Sequence, residues 1–458
     1  MSSKTLSRHT TFSFTLKPTA SQVEALRRHV GAARFAFNQC LRMVQDALAE
    51  RELGPSLPVP WSGFDLINAF NGWKRSGAAG RDDEGSVGLA WRDEVCQQVF
   101  EEAAVDLGRA LAAFAAGRSG KRAGKPPRFP RLKKKSTARP SFRFRNKGKG
   151  ERSAIRIGGA GARVIRLPKL GDVRVRECTR KLRRMLRRDR ARILFATVSL
   201  RSDGRWRVSL NLEAAELHPG LRHGAPVASP VGIDRGLTTF AVLAEASGRE
   251  VERIESPRPL RSALPKLRRR SRALSRKKPG SRNRHRARAK LGKAHARIAS
   301  VRHDFVHRQS SRLAKNHGHL VIEDLCTVGM MKTRLARSVT DSAWALFGTL
   351  LAYKTKWYGA TLTVADRFYP STRRCSACGT LGDRLDLSTR TFHCSGCGHE
   401  ADRDVNAAAN LASFPSSGWP HVAAKHAETR NACGEESAGA RLRAARGTTL
   451  DEAGTAPA

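Results

Sequence analysis

Phe368–Leu411 reads FYPSTRRCSACGTLGDRLDLSTRTFHCSGCGHEADRDVNAAANL. Cys375-Ser-Ala-Cys378-Gly379 and Cys394-Ser-Gly-Cys397-Gly398 form two Cys-x-x-Cys-Gly turns, with fifteen residues between the pairs. Two thiolates separated by two residues can share one tetrahedral ion, and the following glycine lets the backbone turn and aim N–H groups at sulfur. This is the spacing of a closed, four-thiolate zinc ribbon. A redox dithiol needs an exposed, helix-borne Cys-x-x-Cys, which a duplicated turn fits poorly. Zn²⁺ held by Cys375, Cys378, Cys394 and Cys397 is therefore expected to be structural, with His399 outside the shell. Cys40, Cys96, Cys178, Cys326 and Cys433 are scattered singly and give no disulfide framework, as expected of a reducing compartment.

Directly after the second turn, Asp402-Arg-Asp404 opens a helix of small residues, DVNAAANLA (404–412). Two further acids end apolar runs upstream. Asp234 closes VGID (231–234), and Glu323 closes HLVIE (319–323). Acids at the exposed ends of buried strands are placed to bind divalent cations. Three from separate segments can hold two Mg²⁺ ions about 3.5–4 Å apart, one activating water and one stabilising a leaving 3′ oxygen. The order Asp, Glu, Asp over strand, strand and helix suggests an RNase H/RuvC-like nuclease centre. Asp324 and Asp402 stand beside two of these acids and compete for the same role.

Around this centre the pattern is α/β. FAVL (240–243) and VERIE (251–255) read as strands, 342–358 as a helix with Trp344 and Trp357 in the core, and TLTVAD (361–366) as another strand. Residues 1–225 differ. Phe12, Phe14 and Leu16 alternate in a strand ended by Pro18, and Ser21-Gln-Val-Glu24 has capping-box spacing for a helix through Phe37. A proline-rich break covers 52–62, and a second helix about 91–116. Strands follow at 163–167, 173–177, 193–200 and 206–213, the last two flanking a Ser202-Asp203-Gly204 turn. The expected fold is multidomain α+β. Residues 1–225 form an N-terminal helical plus β-barrel-like recognition part. Residues 226–412 form a split C-terminal α/β RuvC-like domain with a basic helical insertion at 260–302 and the ribbon at 370–400. Residues 413–458, without periodicity, are expected to be a disordered tail.

The chain has 458 residues, 86 Lys+Arg and 40 Asp+Glu, a formal charge of +46. Such an imbalance calls for an anionic partner, and nucleic acid is the first, because phosphate binding releases counterions. The basic residues are concentrated. Residues 118–149 hold 14 Lys/Arg and 261–302 hold 17, with no acid in either block, and the second is expected to be two helices broken at Pro279-Gly280. A further basic stretch runs from Arg180 to Arg192. A surface kept soluble by charge alone would mix signs, so phosphate contacts are expected from Lys133, Lys134, Arg143, Arg145, Arg268, Arg269 and Arg284. Phe142 and Phe144 either stack on bases or fill the β core. No run of 18 apolar residues exists and the first residues lack a signal-peptide segment, which argues against secretion or a membrane partner. A cytoplasmic, nucleoid-associated protein, monomeric, is the expectation.

VGIDRGLTTFAVL (231–243), LVIEDL (320–325) and Phe368–Leu411 together resemble the transposon-encoded TnpB (OrfB) proteins, relatives of type V CRISPR effectors. TFSFTLKPTASQVEALRRHVGAARFAFNQCL (11–41), the segment KPPRFPRLKKKSTARPSFRFRN (125–146) and IRLPKLGDVRVRE (165–177) are similar to that family's upstream parts, so the resemblance covers most of residues 10–412. It implies an RNA-guided DNA endonuclease that binds a guide RNA from its own element's end. Such a protein reads a short motif beside the double-stranded target and cuts with Mg²⁺ in a split RuvC-like domain. Asp234, Glu323 and Asp404 then match the catalytic acids, Asp404 being chosen over Asp402 because the family's acid lies two residues before the asparagine at 406. Residues 50–90 are longer than in compact members.

Two other classes compete. A guided repressor with an inert nuclease fold typically lacks one or more of the acids, and all three are present. A transposase acting on element ends usually orders its acids Asp, Asp, Glu, with glutamate on the final helix, where this chain has Asp404.

Overall fold

Internal contacts divide the chain into two units, Met1–Pro219 with Pro265–Arg297, and Gly220–Leu264 with Ile298–Ala458. The computed structural model describes residues 8–415 except 55–57, 82–84, 86, 122–123, 149–152, 159–160, 216–228, 384–385 and 387–388. The expected tail falls outside the described residues beyond Pro415. Ahead of it, Phe414 packs edge-on against Tyr369.

The first unit begins with β1 (Arg8–Lys17), whose inward Phe14 and Leu16 are buried. Pro18 ends the strand, and α1 (Ala20–Leu53) starts at once. Its N-cap is Thr19, paired with Gln22, rather than Ser21 with Glu24. Both tetrads have the Ser/Thr-x-x-Glu/Gln spacing, and the earlier one is used because the helix begins directly after the proline. The segment 50–90 contributes α2 (Gly63–Trp73), which buries Leu66 and Phe70. α3 (Gln97–Arg118) begins six residues later than expected; Val95 is buried ahead of it in extended backbone.

The remaining elements are β2 (Ser141–Arg145), β3 (Arg156–Ile157), β4 (Val164–Leu167), β5 (Gly171–Val175), α4 (Arg180–Arg187), β6 (Ala191–Leu200) and β7 (Trp206–Ala214). The strands form one sheet in the order β2-β6-β7-β1-β5-β4-β3. Strand β2 alternates strictly: Phe142 and Phe144 are core, against His29 of α1, which decides against base stacking.

The second unit is built on β8 (Val231–Asp234), β9 (Thr239–Glu245) and β10 (Glu250–Glu255), with α5 (Pro259–Ser275) and α6 (Arg282–Asn316) following. The break between the two helices is at Pro279-Gly280, as expected, but residues 265–297 of this basic hairpin group with the first unit. Then come β11 (His319–Glu323), α7 (Thr327–Met330), α8 (Ala336–Ser342), α9 (Trp344–Tyr358), β12 (Thr361–Ala365), β13 (Thr391–His393), β14 (Glu400–Asp402) and α10 (Arg403–Ala412). The expected helix 342–358 is divided at its start by Ala343, which has a φ of 54°. Trp344 is buried, while Trp357 is half-buried and packs on Tyr353.

The sheet order is β10-β9-β8-β11-β12, antiparallel through β8 and parallel from β8 to β12. Alternation sorts the strands between two helical layers. Val231, Ile233, Leu320 and Ile322 share a core with Val306 and Leu313 of α6 and Phe347 and Leu351 of α9. On the other face, Val242 and Ala244 meet Val405, Ala408 and Ala409 of α10, and Val321 meets Leu411. Gly232 makes that second layer close: a Cβ there would lie 1.9 Å from the Ala408 carbonyl oxygen. Glycine on the strand and alanines on the helix thus let α10 lie directly on β8. Among the described residues, no helix is long and apolar enough to cross a membrane.

Candidate functional site

β8 and β11 are parallel neighbours with Ile233 opposite Ile322, so Asp234 and Glu323 emerge side by side at their carboxyl ends. Asp404 stands in the first turn of α10, which the Gly232–Ala408 contact holds on the same strand. The three acids are each half-buried and interact: burial first, then the charges of Glu323 and Asp404, push the Asp234 carboxyl well above its usual range. Arg235 and Arg403 oppose that shift. Arg235 is buried and donates to the Glu323 carbonyl, and Arg403 lies 3.3 Å from Asp404 Oδ1. Converging carboxylates raise one another's cost of ionisation, and a hard divalent cation with oxygen ligands relieves it. All three side chains are oxygen donors of the kind such an ion takes.

The neighbouring acids have other work. Asp402 is the N-cap of α10, accepting from the N–H groups of Asp404 at 2.9 Å and Val405 at 3.1 Å, and pairs with Arg253 at 3.3 Å. Asp324 pairs with Arg367 at 2.5 Å.

In the ribbon, the four cysteine sulfurs all lie within 4.8 Å of one another. Cys375 and Cys397 are 3.8 Å apart, and Cys378 and Cys394 3.6 Å. A tetrahedral ion with Zn–S bonds of about 2.3 Å would hold its sulfurs about 3.8 Å apart. The two turns repeat one geometry. Gly379 and Gly398 have φ of 77° and 70°, and donate to the carbonyls of Cys375 and Cys394 at 3.0 and 2.9 Å. The positive φ is what glycine supplies after each thiolate pair. The Thr380 hydroxyl and backbone amide pull the Cys378 thiol down to about 6. The His399 ring faces Ser376 Oγ at 3.5 Å and stands outside the cluster.

Asn406 and Asn410, buried one turn apart on α10, fasten this ribbon to the helix. Asn406 accepts from Ser376 N–H at 2.9 Å and donates to the Arg374 carbonyl at 2.8 Å. Sequence reasoning used Asn406 only as a landmark. The available signal was two asparagines four residues apart in an alanine helix, where asparagine is a poor helix former.

The expected phosphate contacts all lie in the first unit, and four of the seven are occupied internally. Arg143 pairs with the buried Glu102 at 3.0 Å and with Asp106 at 3.3 Å, and Arg145 also pairs with Glu102. Both arginines emerge from β2 toward α3, so strand alternation gave their face correctly but not the acids opposite. Lys133 packs its ammonium 3.5 Å from the centre of the Phe37 ring, and burial lowers its pKa. Arg284 donates to the Lys277 carbonyl at 2.8 Å and closes the turn between α5 and α6. Lys134, Arg268 and Arg269 are exposed. The basic stretch that begins at Arg180, from which no single phosphate contact was expected, forms a surface of its own: Arg180, Lys181, Arg183, Arg184 and Arg187 of α4 line one cleft of about 500 Å³. Leu182 and Met185 anchor the opposite face of that helix.

Comparison with known proteins gives the class first. Residues 219–334 match the family described as "Probable transposase", residues 8–52 a "Helix-turn-helix domain" and residues 344–411 a "Cas12f1-like, TNB domain". The chain is 35% identical over 416 residues to a Mycobacterium tuberculosis protein named "Putative RNA-guided DNA endonuclease", covering 88% of this chain and 86% of that one. Similar proteins of that description occur in Streptomyces pristinaespiralis, 32% identical with 87% and 88% covered, and in Escherichia coli as InsQ, 29% identical with 93% and 94% covered. The chain belongs to the TnpB (OrfB) family. Among solved structures it is similar to Cas12f1 in a complex with sgRNA and target DNA, at 13% identity and a TM-score of 0.47, covering 89% of this chain and 99% of that one.

Proposed function

We propose that the protein is an RNA-guided DNA endonuclease that cuts double-stranded DNA in an RNase H/RuvC-like centre. The observation that carries this reading is the convergence of Asp234, Glu323 and Asp404 at the carboxyl ends of β8 and β11. The sheet order, antiparallel through β8 and then parallel, agrees with that fold assignment. In the first unit the barrel-like reading is supported by the Ala154 N–H donating to the Lys147 carbonyl at 2.9 Å, and by Asn146 joining Ile155 to Ile193. These bonds bring together the chain flanking the two end strands of the sheet.

The three acids would hold Mg²⁺, which supplies activation of water and neutralisation of the charge developing on the leaving oxygen. Asp234 and Glu323 are held by adjacent strands and Asp404 by the first turn of a capped helix, so the ligand geometry is set before nucleic acid arrives. Arg235, which donates to the Glu323 carbonyl, offsets part of the repulsion felt at Asp234. The four thiolates would hold Zn²⁺, which joins the ribbon's two halves and keeps α10 attached to the first turn through Asn406. Exposed Lys134, Arg268, Arg269 and the α4 cleft would grip RNA and DNA phosphates, while pairing between guide and target reads sequence.

The three intact acids disfavour an inert repressor, and the position of Asp404 disfavours a transposase with glutamate on its last helix. The reading is tested by purifying the protein with its flanking DNA transcribed, sequencing the bound RNA, and challenging the complex with targets carrying randomised flanks. Cleavage confined to targets that pair with the bound RNA is expected. Cleavage indifferent to that RNA would overturn the guided reading.

A further inference from the structure

The short segment Ser371–Cys375 joins three parts of the second unit. Its last residue is a member of the thiolate cluster. Its first, Ser371, is 2% exposed and donates through Oγ to Glu323 Oε1 at 2.6 Å. The Ser371 carbonyl accepts from Asn410 Nδ2 at 2.8 Å, and the Arg374 carbonyl accepts from both Asn410 at 2.5 Å and Asn406 at 2.8 Å. Both asparagines belong to α10, the helix that carries Asp404. Tyr369, two residues earlier, donates its hydroxyl to the Asn410 carbonyl at 3.0 Å. The strap between β12 and the ribbon is thus tied to α10 and touches Glu323 with one side-chain proton.

We propose that Ser371 is a positioning residue for Glu323. Its hydroxyl fixes one carboxylate oxygen and leaves the other as the donor toward a divalent cation shared with Asp234. The proposal rests on the acid-centre reading above. A glutamate side chain surrenders rotamer freedom when it ligates a metal. A short, charge-assisted bond from a buried serine removes that freedom beforehand. Partners that orient metal-binding groups in this way are typically worth 10–100-fold in metal affinity or activity. The serine is itself immobilised by Asn410, so the α10 helix sets the orientation of Glu323 as well as that of Asp404.

The test uses the full-length, zinc-loaded protein and Mn²⁺ as probe, with binding read from loss of the free-ion electron paramagnetic resonance signal and zinc measured separately. Ser371→Ala should keep its zinc and its thermal stability while Mn²⁺ affinity falls about tenfold. Its cleavage rate should return to the wild-type value when divalent metal is raised. Ser371→Thr, which retains the hydroxyl, should bind Mn²⁺ as wild type does. Unchanged affinity in the alanine variant would overturn the proposal, as would a rate loss that no metal concentration restores. Loss of zinc together with Mn²⁺ affinity would do so too, placing the serine's role in the ribbon's folding. Mn²⁺ binding that survives Asp234→Ala in an otherwise wild-type chain would instead defeat the acid-centre reading itself.

Discussion

Asp402 and Asp404 are two residues apart and do different things. Asp402 turns its carboxylate back onto the N–H groups of Asp404 and Val405, while Asp404 adds its charge to that of Glu323 at Asp234. Asp402→Ala should therefore lower stability by ~1 kcal/mol, the worth of an N-cap, and retain cleavage. Asp404→Ala should abolish cleavage with stability little changed. Thermal melts and cleavage assays on the two variants check this division, and equal effects on both measurements would contradict it. At this scale the sequence was informative where chemistry is carried by residue type: the four cysteine sulfurs lie together, and Asp234 and Glu323 end neighbouring parallel strands. It was uninformative where the partner is distant in the chain. Nothing beside Arg143 announces Glu102, 41 residues earlier, and Lys133 gives no sign of its seat on the Phe37 ring.

Among the elements, α10 sets the geometry of the centre because its small residues permit close approach. Gly232→Ala places a methyl where the Ala408 carbonyl lies, so α10 must move outward and take Asp404 with it. Overpacking of this kind costs ~1–3 kcal/mol, and cleavage should fall more than stability does. Full cleavage by a stable Gly232→Ala protein would show that the helix position is not critical. The ribbon is a second element with a sharp outcome. Cys375→Ser should lose zinc and soluble protein together, since metal binding and folding are one process in such a site. Wild-type zinc content in that variant would show the cluster to be misassigned. Strands and long helices were legible from alternation and breaks, including the Pro279-Gly280 turn. The α1 cap was not, because two capping boxes overlap at Thr19 and Ser21, and α7, α8 and β3 are too short to leave a periodic signal.

For the molecule as a whole, the 86 Lys+Arg divide between those paired with acids inside the fold and those left unpaired by the 40 acids, which make up the net +46. Arg143 and Arg145 neutralise a buried glutamate, whereas the five basic residues of α4 crowd one cleft and repel one another along the helix. Replacing Arg180, Arg184 and Arg187 by glutamine should flatten the salt dependence of nucleic-acid binding by ~0.9 in log–log slope for each phosphate that is no longer neutralised. Arg143→Gln should mainly lower thermal stability, because Glu102 is left with fewer partners. Filter binding over a range of salt, with parallel melts, separates the two sets. If the α4 variant keeps the wild-type slope, that cleft is not a phosphate site.

On the proposed function, Asp234, Glu323 and Asp404 form one cleavage centre directed by a bound RNA. The most direct test is a cleavage assay on a double-stranded target matched to that RNA. Wild-type protein and the Asp234→Ala, Glu323→Ala and Asp404→Ala variants are each loaded with the same guide in Mg²⁺, and target binding is measured in parallel. Cleavage by wild type alone, with RNA-dependent binding retained in all three variants, is the predicted result. Full cleavage by any one of the three variants would contradict it.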